Sequence, residues 1–349
     1  MTSFEKPNIL RDRVANLINE KIRKDYRVLF KETDVAVLEL YQKLSNYEKQ
    51  DININQIKKI FSDTILKFSS EVRFKKLSKE YIEETKQYVW GLMPQQLTTQ
   101  KISNAVVNNN KIYFAEDAFL RSIVNDVGIV CENQQYYKYS CGYILDDLTC
   151  YIDATRPSRM ELTLNSDLKL TQEQIQRAKV CIKKITDNYI SKYNNQPIYK
   201  PDFARKNTKK VLVIDQSFRD FSIIKGMAND ETFKLMLDCA KCENPDSDIL
   251  IKTHPDISLG AKKNCYFQDI KEQNNIYRIT EPINPISIIN YVDKVYVVSS
   301  QFGFEALMCN KEVHTFGIPF YANWGLTIDN QTCSRRMRKR TLEEIFYIA

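Results

Sequence analysis

Val295-Tyr296-Val297-Val298-Ser299-Ser300-Gln301-Phe302-Gly303-Phe304-Glu305-Ala306-Leu307 reads as a buried strand that breaks into a hydroxyl-rich turn and restarts as a helix. The unpaired backbone N–H groups of such a helix start, backed by the helix dipole, attract phosphate or carboxylate, and Ser299 and Ser300 add donors there. The same residues also suit an ordinary strand-to-helix connection whose serines cap the helix. Two further junctions repeat the design. Lys210 to Ile214 is a β-branched run that stops at Asp215-Gln216-Ser217-Phe218-Arg219-Asp220-Phe221-Ser222, and Ile249 to Ile251 stops at Lys252-Thr253-His254-Pro255-Asp256. Short apolar runs followed by polar residues are the mark of strands buried on both faces of a parallel sheet. Glu231 to Cys242 carries Phe233, Leu235, Met236, Leu237 and Ala240 at helical spacing and ends at Asn244-Pro245-Asp246, while Ile286 to Tyr291 predicts a short helix before Val295. The order is βαβ…αβα, an α/β arrangement whose right-handed crossovers carry the polar strand ends to one rim. Open α/β sheets collect ligands at that rim.

At 349 residues with 43% hydrophobic content, the chain has material for two domains with real cores. No apolar stretch approaches bilayer-spanning length, and the opening residues Met1 to Arg13 lack the charged-then-apolar layout of a signal peptide, so a cytoplasmic protein is expected. The nine cysteines are scattered and odd in number, and Cys239 and Cys242 fall inside a predicted helix, which points to reduced thiols. With two histidines and no second paired-cysteine motif, no metal site is expected. Asp246-Ser247-Asp248 precedes a strand rather than following one and reads as a turn, not a divalent-ion motif.

The net charge of +7 is unevenly spread. Ser334-Arg335-Arg336-Met337-Arg338-Lys339-Arg340 places five positive charges in seven residues. Such a run suits peripheral association with an anionic membrane at the inner face of the cytoplasmic membrane, or contact with a phosphorylated acceptor. Its alternative is a solvated linker before the helix that Thr341-Leu342-Glu343-Glu344 opens with a capping box. No aromatic-interleaved basic module accompanies it, so nucleic acid is not an expected partner.

Glycine is absent before Gly91, and residues 1–84 read as helical throughout, with apolar faces over Arg11 to Leu29, Val35 to Leu44 and Ile57 to Phe68. From Tyr88 onward the texture changes. Gln87 to Gly91, Lys111 to Ala115, Tyr143 to Leu145 and Cys150 to Asp153 suit strands, and a long helix is predicted from about Thr171 to Tyr193. The polar, proline-bearing stretch Asn194 to Pro201 then reads as a linker. The predicted organisation is a helical extension over 1–84, an α/β lobe over 85–200 and a second α/β lobe over 201–349, with a cleft between the lobes.

Seven motifs occur in order: Trp90-Gly91; Glu116-Asp117-Ala118-Phe119-Leu120-Arg121-Ser122; Asp153 to Ser158; Asp215 to Asp220; Lys252 to Asp256; Ser299 to Leu307; and Phe316-Gly317-Ile318-Pro319-Phe320-Tyr321-Ala322-Asn323-Trp324-Gly325-Leu326-Thr327. With the arginine-rich run and Leu342-Glu343-Glu344, they resemble the bacterial capsule β-Kdo transferases of the KpsC and WbbB type, from about Trp90 to the end of the chain. The family's Glu-Asp-Gly-Phe reads Glu116-Asp117-Ala118-Phe119 here, and an alanine constrains a loop that glycine leaves free. The resemblance implies two Rossmann-like lobes in a variant GT-B arrangement. It implies a retaining glycosyltransferase that moves Kdo from CMP-Kdo to a lipid-linked or glycan acceptor with β linkage, needing no cofactor beyond the donor.

Retention is reached by two successive inversions, the first by a protein carboxylate. Asp220 matches the family position that resembles the catalytic aspartate; spacing alone favours its reading as the cap of the helix near Phe221. His254, before the rigid Pro255 and near Lys252, matches the donor motif and is suited to the departing phosphate. Gln216, Ser299, Ser300 and Gln301 are assigned to the donor. Glu305 is either a ribose contact or an exposed helix residue. Glu116 and Asp117 belong to the other lobe, with Glu116 the first candidate for general acid or base. Arg121 is either a partner of those carboxylates or an acceptor contact. Arg156 and Arg159 are expected to meet an anionic acceptor, and Tyr321 and Trp324 to stack on sugar or base. His314, in a strand-like segment, is expected in the core. Two other functions fit the same layout: a surface-glycan transferase using another nucleotide sugar, and a non-catalytic, membrane-associated assembly protein.

Overall fold

The computed structural model describes residues 86–90, 111–120, 143–192, 194, 196–202, 204–254, 264–273 and 275–349. The helical reading of 1–84 and the assignments to Gly91, Arg121 and Pro255 lie outside them. Nine strands are described: β1 (Lys86–Trp90), β2 (Lys111–Asp117), β3 (Tyr143–Asp146), β4 (Lys210–Ile214), β5 (Asp248–Lys252), β6 (Ile276–Ile279), β7 (Lys294–Val297), β8 (Glu312–Thr315) and β9 (Ile328–Asp329). The helices among the described residues are α1 (Arg159–Asn165), α2 (Gln172–Asp187), α3 (Phe221–Lys225), α4 (Asp230–Glu243), α5 (Pro285–Tyr291), α6 (Phe302–Met308) and α7 (Leu342–Ile348).

The second lobe carries a parallel six-stranded sheet in the order β6-β5-β4-β7-β8-β9. The chain enters at β4, works outward to β6, then crosses back to β7 and works outward the other way. The connections leaving β4 and β7 therefore diverge at the carboxyl edge, which opens a crevice at the switch point. Alternation along each strand feeds two cores. Val211, Val213, Ile249, Ile251, Tyr296 and Val298 pack with Phe233, Met236 and Leu237 of α4. Leu212, Ile214, Leu250, Val295 and Val297 pack on the opposite face with Ile286 and Ile289 of α5 and Phe304 of α6. Burial on both faces is the physical reason these segments are continuous apolar runs.

In the first lobe β1 pairs parallel to β2, and β3 runs antiparallel to β2. Phe119, Met160, Leu164, Ala178 and Ile185 share one apolar cluster with Phe304, Phe320 and Phe346, so residues on both sides of the 194–201 stretch enclose a common core. Two expectations are corrected here. Cys150 to Asp153 is a turn, closed by Asp153 N–H donating to the Cys150 carbonyl at 2.9 Å, rather than a strand. Asp146 and Asp153 side chains take up the local amides of Leu148, Thr149 and Thr155, and such local bonding competes with a sheet ladder. The long helix ends at Asp187 instead of Tyr193, where Asn188 caps it and Tyr189 turns to a φ of 56°.

The arginine-rich run is the larger correction. Arg335 Nε lies 2.7 Å from Glu161 Oε1, and the buried Arg336 donates from Nε to Glu161 Oε2 at 3.1 Å and from Nη1 to the carbonyls of Pro319 and Ala322. Arg338 donates to the Asn165 carbonyl at 2.7 Å and pairs with Asp167. Arg340 donates to the carbonyls of Leu164 and Ser166 at 2.6 and 2.5 Å, and to Glu344 at 2.9 Å. Four of the five charges thus clamp α1: Arg335 and Arg336 hold Glu161 in its first turn, and Arg338 and Arg340 bind the carbonyls at its C-terminus, where they complement the dipole. They do not form the free cationic patch expected for membrane contact. At the other end of α1, Ser158 caps and Asp146 accepts from Arg159 N at 2.7 Å. Thr341 and Glu344 form the predicted capping box of α7. Among the described residues no helix is long and apolar enough to cross a membrane.

Glu161→Ala is expected to lower unfolding free energy by about 3–5 kcal/mol, because it strands Arg336 as a buried unpaired charge. Lys183→Ala, which removes the exposed pair with Asp187 on α2, costs under about 0.5 kcal/mol. Urea denaturation of the two variants checks both values.

Candidate active site

The loop after β4 is anchored by Asp215. Its buried carboxylate accepts from the backbone N–H groups of Gln216 (2.8 Å), Tyr266 (3.0 Å) and Phe267 (3.1 Å), while burial pushes its pKa above the usual carboxylate range. Its own N–H donates to the Lys252 carbonyl at 3.0 Å, which joins the first corner to the loop after β5. Arg219 sits at a φ of 58°, in the left-handed region where a long side chain is disfavoured, and its N–H donates to the Tyr266 hydroxyl at 3.1 Å. That strained residue delivers Asp220 to the edge of the sheet. Asp220 Oδ1 accepts from Ser222 N at 3.0 Å and from Ser222 Oγ at 2.8 Å, so the aspartate does cap α3.

The corner after β7 lies against the same loop. Ser299 N donates to Gln216 Oε1 at 3.0 Å, and Gln216 Nε2 donates to Ser299 Oγ at 3.3 Å. Gly226, at the end of α3, has no room for a side chain: an added Cβ would stand 2.6 Å from the Ser222 carbonyl and 2.9 Å from Ser299 Cβ. Ser300 Oγ accepts from Phe302 N at 3.2 Å, and the Ser300 carbonyl accepts from the Tyr321 hydroxyl at 2.5 Å. Gly303 is required by that same hydroxyl, which occupies the space a Cβ would fill. The Gln301 amide is buried at both polar atoms and has no hydrogen-bond partner among the described residues; the same holds for the hydroxyls of Ser217 and Thr253.

Glu116 and Asp117 end β2 in the other lobe. Burial raises the Glu116 carboxyl above its ordinary range, the Asp117 N–H at 3.0 Å opposes this, and the charges of Asp117 and Asp220 push it further up while Lys192 pulls it down. Asp220 and Glu116 are therefore within electrostatic reach across the lobes. The lobes are also pinned at α3: Lys225 Nζ lies 3.2 Å from Asp153 Oδ2, and Ala154 N donates to the Lys225 carbonyl at 2.8 Å. Asp220 begins α3 and the first lobe holds its end. His254, half-buried, stands on the loop after β5 at the same sheet edge.

Several residues have other work than expected. Tyr321 and Trp324 are fully buried, the tryptophan donating to the Phe320 carbonyl at 2.9 Å beneath the Arg336 guanidinium, so neither ring is open to a sugar or base. Large aromatics that close a core lose more by exposure than a stacking contact returns. Lys252 is buried and donates to the carbonyls of Thr253 (3.1 Å) and Glu281 (3.3 Å), and desolvation pushes its pKa down to about 8; it props the corner. Arg159 is exposed and bidentate to Asp147 at 2.8 Å, and Arg156 lies 3.4 Å from Asp153 and over the Phe114 ring. His314 is in the core as expected, stacked on Tyr296. Glu305 is neither a ribose contact nor exposed: its buried Oε1 accepts from Lys192 N at 3.1 Å. Lys192, whose Nζ is 4.0 Å from Asp117 Oδ2, escaped the sequence reading because it followed a helical pattern and carried no motif.

A sequence profile of the capsule polysaccharide biosynthesis protein family matches residues 174–349. The capsule polysaccharide modification protein LipA of Neisseria meningitidis serogroup B is 38% identical over 270 residues, which cover 74% of this chain and 37% of that protein. The chain spans about a third of the length of the curated LipA relatives it matches. Among solved structures, the KpsC β-Kdo 2,4 transferase of Thermosulfurimonas dismutans superposes with a TM-score of 0.68 at 36% identity, over 75% of this chain and 78% of that one. The KpsC β-Kdo 2,7 transferase of the same organism, at 24% identity and a TM-score of 0.50 over 90% and 86% of the two chains, shares the fold. The chain belongs to the capsule polysaccharide biosynthesis protein family.

Burial raises the Glu305 carboxyl to about 7, with the Lys192 N–H and Ser191 hydroxyl opposing. A raised acid contributes stability that is complete below its unfolded value and is lost as pH rises through the folded one. Between about pH 4.5 and 7.5 the wild-type protein is expected to lose on the order of 3 kcal/mol relative to Glu305→Gln, which keeps an acceptor for Lys192 N. Urea midpoints across that window, compared between the two proteins, check it.

Proposed function

We propose that this member of the capsule polysaccharide biosynthesis protein family is a retaining glycosyltransferase that moves Kdo from CMP-Kdo to a glycan or glycolipid acceptor with β linkage. The observation that carries the reading is the placement of Asp220: delivered by a strained turn, beside the Gln216–Ser299 corner, within electrostatic reach of Glu116 from the other lobe. In the first displacement an Asp220 carboxylate oxygen attacks the anomeric carbon of Kdo. The bond to the phosphate oxygen breaks, and CMP leaves with the electron pair. In the second, an acceptor hydroxyl attacks the same carbon, Glu116 takes its proton, and the Asp220 carboxylate departs. Two inversions return the original configuration.

Donor recognition in this reading falls to Ser299, Ser300, Gln301 and His254. The unpartnered buried amide of Gln301 supports it, because a buried polar group without a partner is costly until a ligand satisfies it. His254 and the backbone N–H groups near Ser300 offer hydrogen bonds to the leaving phosphate. A Glu116 pKa raised by burial suits a carboxyl that must take the acceptor hydroxyl's proton. In this reading the reaction takes place in the cytoplasm, and the two steps are written with the donor, the acceptor and the two carboxylates alone.

Asp220→Ala is expected to lower CMP release from CMP-Kdo on the order of 10³-fold or more, with CMP affinity by calorimetry nearly unchanged and the circular dichroism spectrum preserved. Glu116→Gln is expected to accumulate a covalent Kdo adduct on Asp220, seen by intact-protein mass spectrometry. Turnover of a UDP-sugar with none of CMP-Kdo would overturn the donor assignment, and full activity in Asp220→Ala would overturn the double displacement.

A further inference from the structure

We infer that Lys192 is a positioning residue of the cleft: its ammonium, carried on a backbone that Glu305 holds in place, sets the charge balance of the Glu116–Asp117 pair. Lys192 Nζ lies 4.0 Å from Asp117 Oδ2, with the two side chains 28% and 12% exposed. Its N–H is held at 3.1 Å by Glu305 Oε1, from a side chain in α6, the helix that starts immediately after Ser299–Gln301. The preceding residue is fixed as well. Ser191 is buried, its N–H donates to Asn194 Oδ1 at 2.9 Å, and its carbonyl accepts from Asn194 Nδ2 at 2.9 Å.

A flexible lysine at a surface screens a carboxylate weakly, since its ammonium samples many positions and water intervenes. Here the backbone is held from two sides, and the remaining freedom is confined to the stem. Among the described residues, Asp117, Asp220 and Lys192 act on Glu116 by their charge, and the Cys150 thiol, which burial keeps protonated, has its sulfur 3.9 Å from Glu116 Oε2. Of these described groups, Lys192 is the cation. Burial and the negative charges of Asp117 and Asp220 make ionisation of Glu116 costlier, and a nearby cation lets Glu116 lose its proton at a lower pH than it otherwise would. The buried Glu305 thereby links the donor corner to the acid–base pair: the same helix that begins at the donor corner holds the residue that tunes Glu116.

This inference rests on the acid–base reading of Glu116 only for its effect on rate, so the test separates the two. Carboxyl ¹³C NMR of the full chain, with Glu116 assigned by its loss in Glu116→Gln, measures its titration directly in wild type, Lys192→Met and Lys192→Arg. Lys192→Met is expected to move the Glu116 midpoint upward by about half a pH unit or more, and Lys192→Arg to restore it. An unmoved midpoint in Lys192→Met, with an unchanged melting temperature, overturns the inference, as does failure of Lys192→Arg to restore it. The limb of the pH profile of CMP release that Glu116 controls is expected to shift the same way. If the NMR midpoint moves and the profile does not, the role of Lys192 stands and the acid–base reading of Glu116 falls.

Discussion

The placement of both lobes depends on one buried carboxylate, Glu161, gripped by Arg335 and Arg336. Glu161 sits on α1 in the first lobe, and the two arginines come from the far end of the chain. Desolvating Glu161 and Arg336 is unfavourable, so the arrangement persists only because their charges are partnered: the half-buried Arg335 also reaches the Ala154 carbonyl, and Arg336 reaches those of Pro319 and Ala322. Hydrophobic contact alone is non-directional and would let α1 slide. Charged hydrogen bonds of fixed geometry do not permit that. Because the Arg335–Ala154 bond and the Lys225–Asp153 pair lie in one connected region, the clamp also sets where α3, and hence Asp220, stands relative to the first lobe.

The second constraint is close approach at the carboxyl edge. Gly226 and Gly303 leave no space for a Cβ, the one because Ser299 and the Ser222 carbonyl press on it, the other because of the Tyr321 ring. These contacts bring the end of α3, the Ser299 turn and the start of α6 together. The edge that the parallel sheet exposes by topology is thus narrowed by packing that brings polar groups together, among them the buried amide of Gln301, which has no partner among the described residues. Chemistry follows from which charges this packing leaves facing each other.

Much of this was legible from local pattern. The strands at Lys210, Ile249 and Val295, the helices over Asp230–Glu243 and Pro285–Tyr291, and the capping box at Thr341 all follow from periodicity and from the bonding needs of helix ends, which act over a few residues. Asp220 was legible twice over, as a helix cap and as the matched aspartate, and it does cap α3. What misled were residues whose chemistry is real but whose direction is set from afar. Tyr321, Trp324 and Glu305 carry groups suited to a sugar, and all three face inward. The arginine run has the composition of a surface patch and is instead the clamp on α1, because the acceptors it finds lie some 170 positions earlier in the chain.

By itself the amino-acid order determined that a parallel α/β sheet forms and that its polar strand ends share one rim, since burial on both strand faces and the handedness of crossovers are local consequences of residue type. Only the tertiary structure decided which polar groups line the cleft and which are buried beneath it. Lys192 drew no notice in the sequence and stands beside Asp117; Lys252 looked like a donor ligand and props a loop. The reason is that solvation is a property of position in the folded body: the same charged side chain is a ligand-binding group where water reaches it and a structural fastener where only carbonyls do.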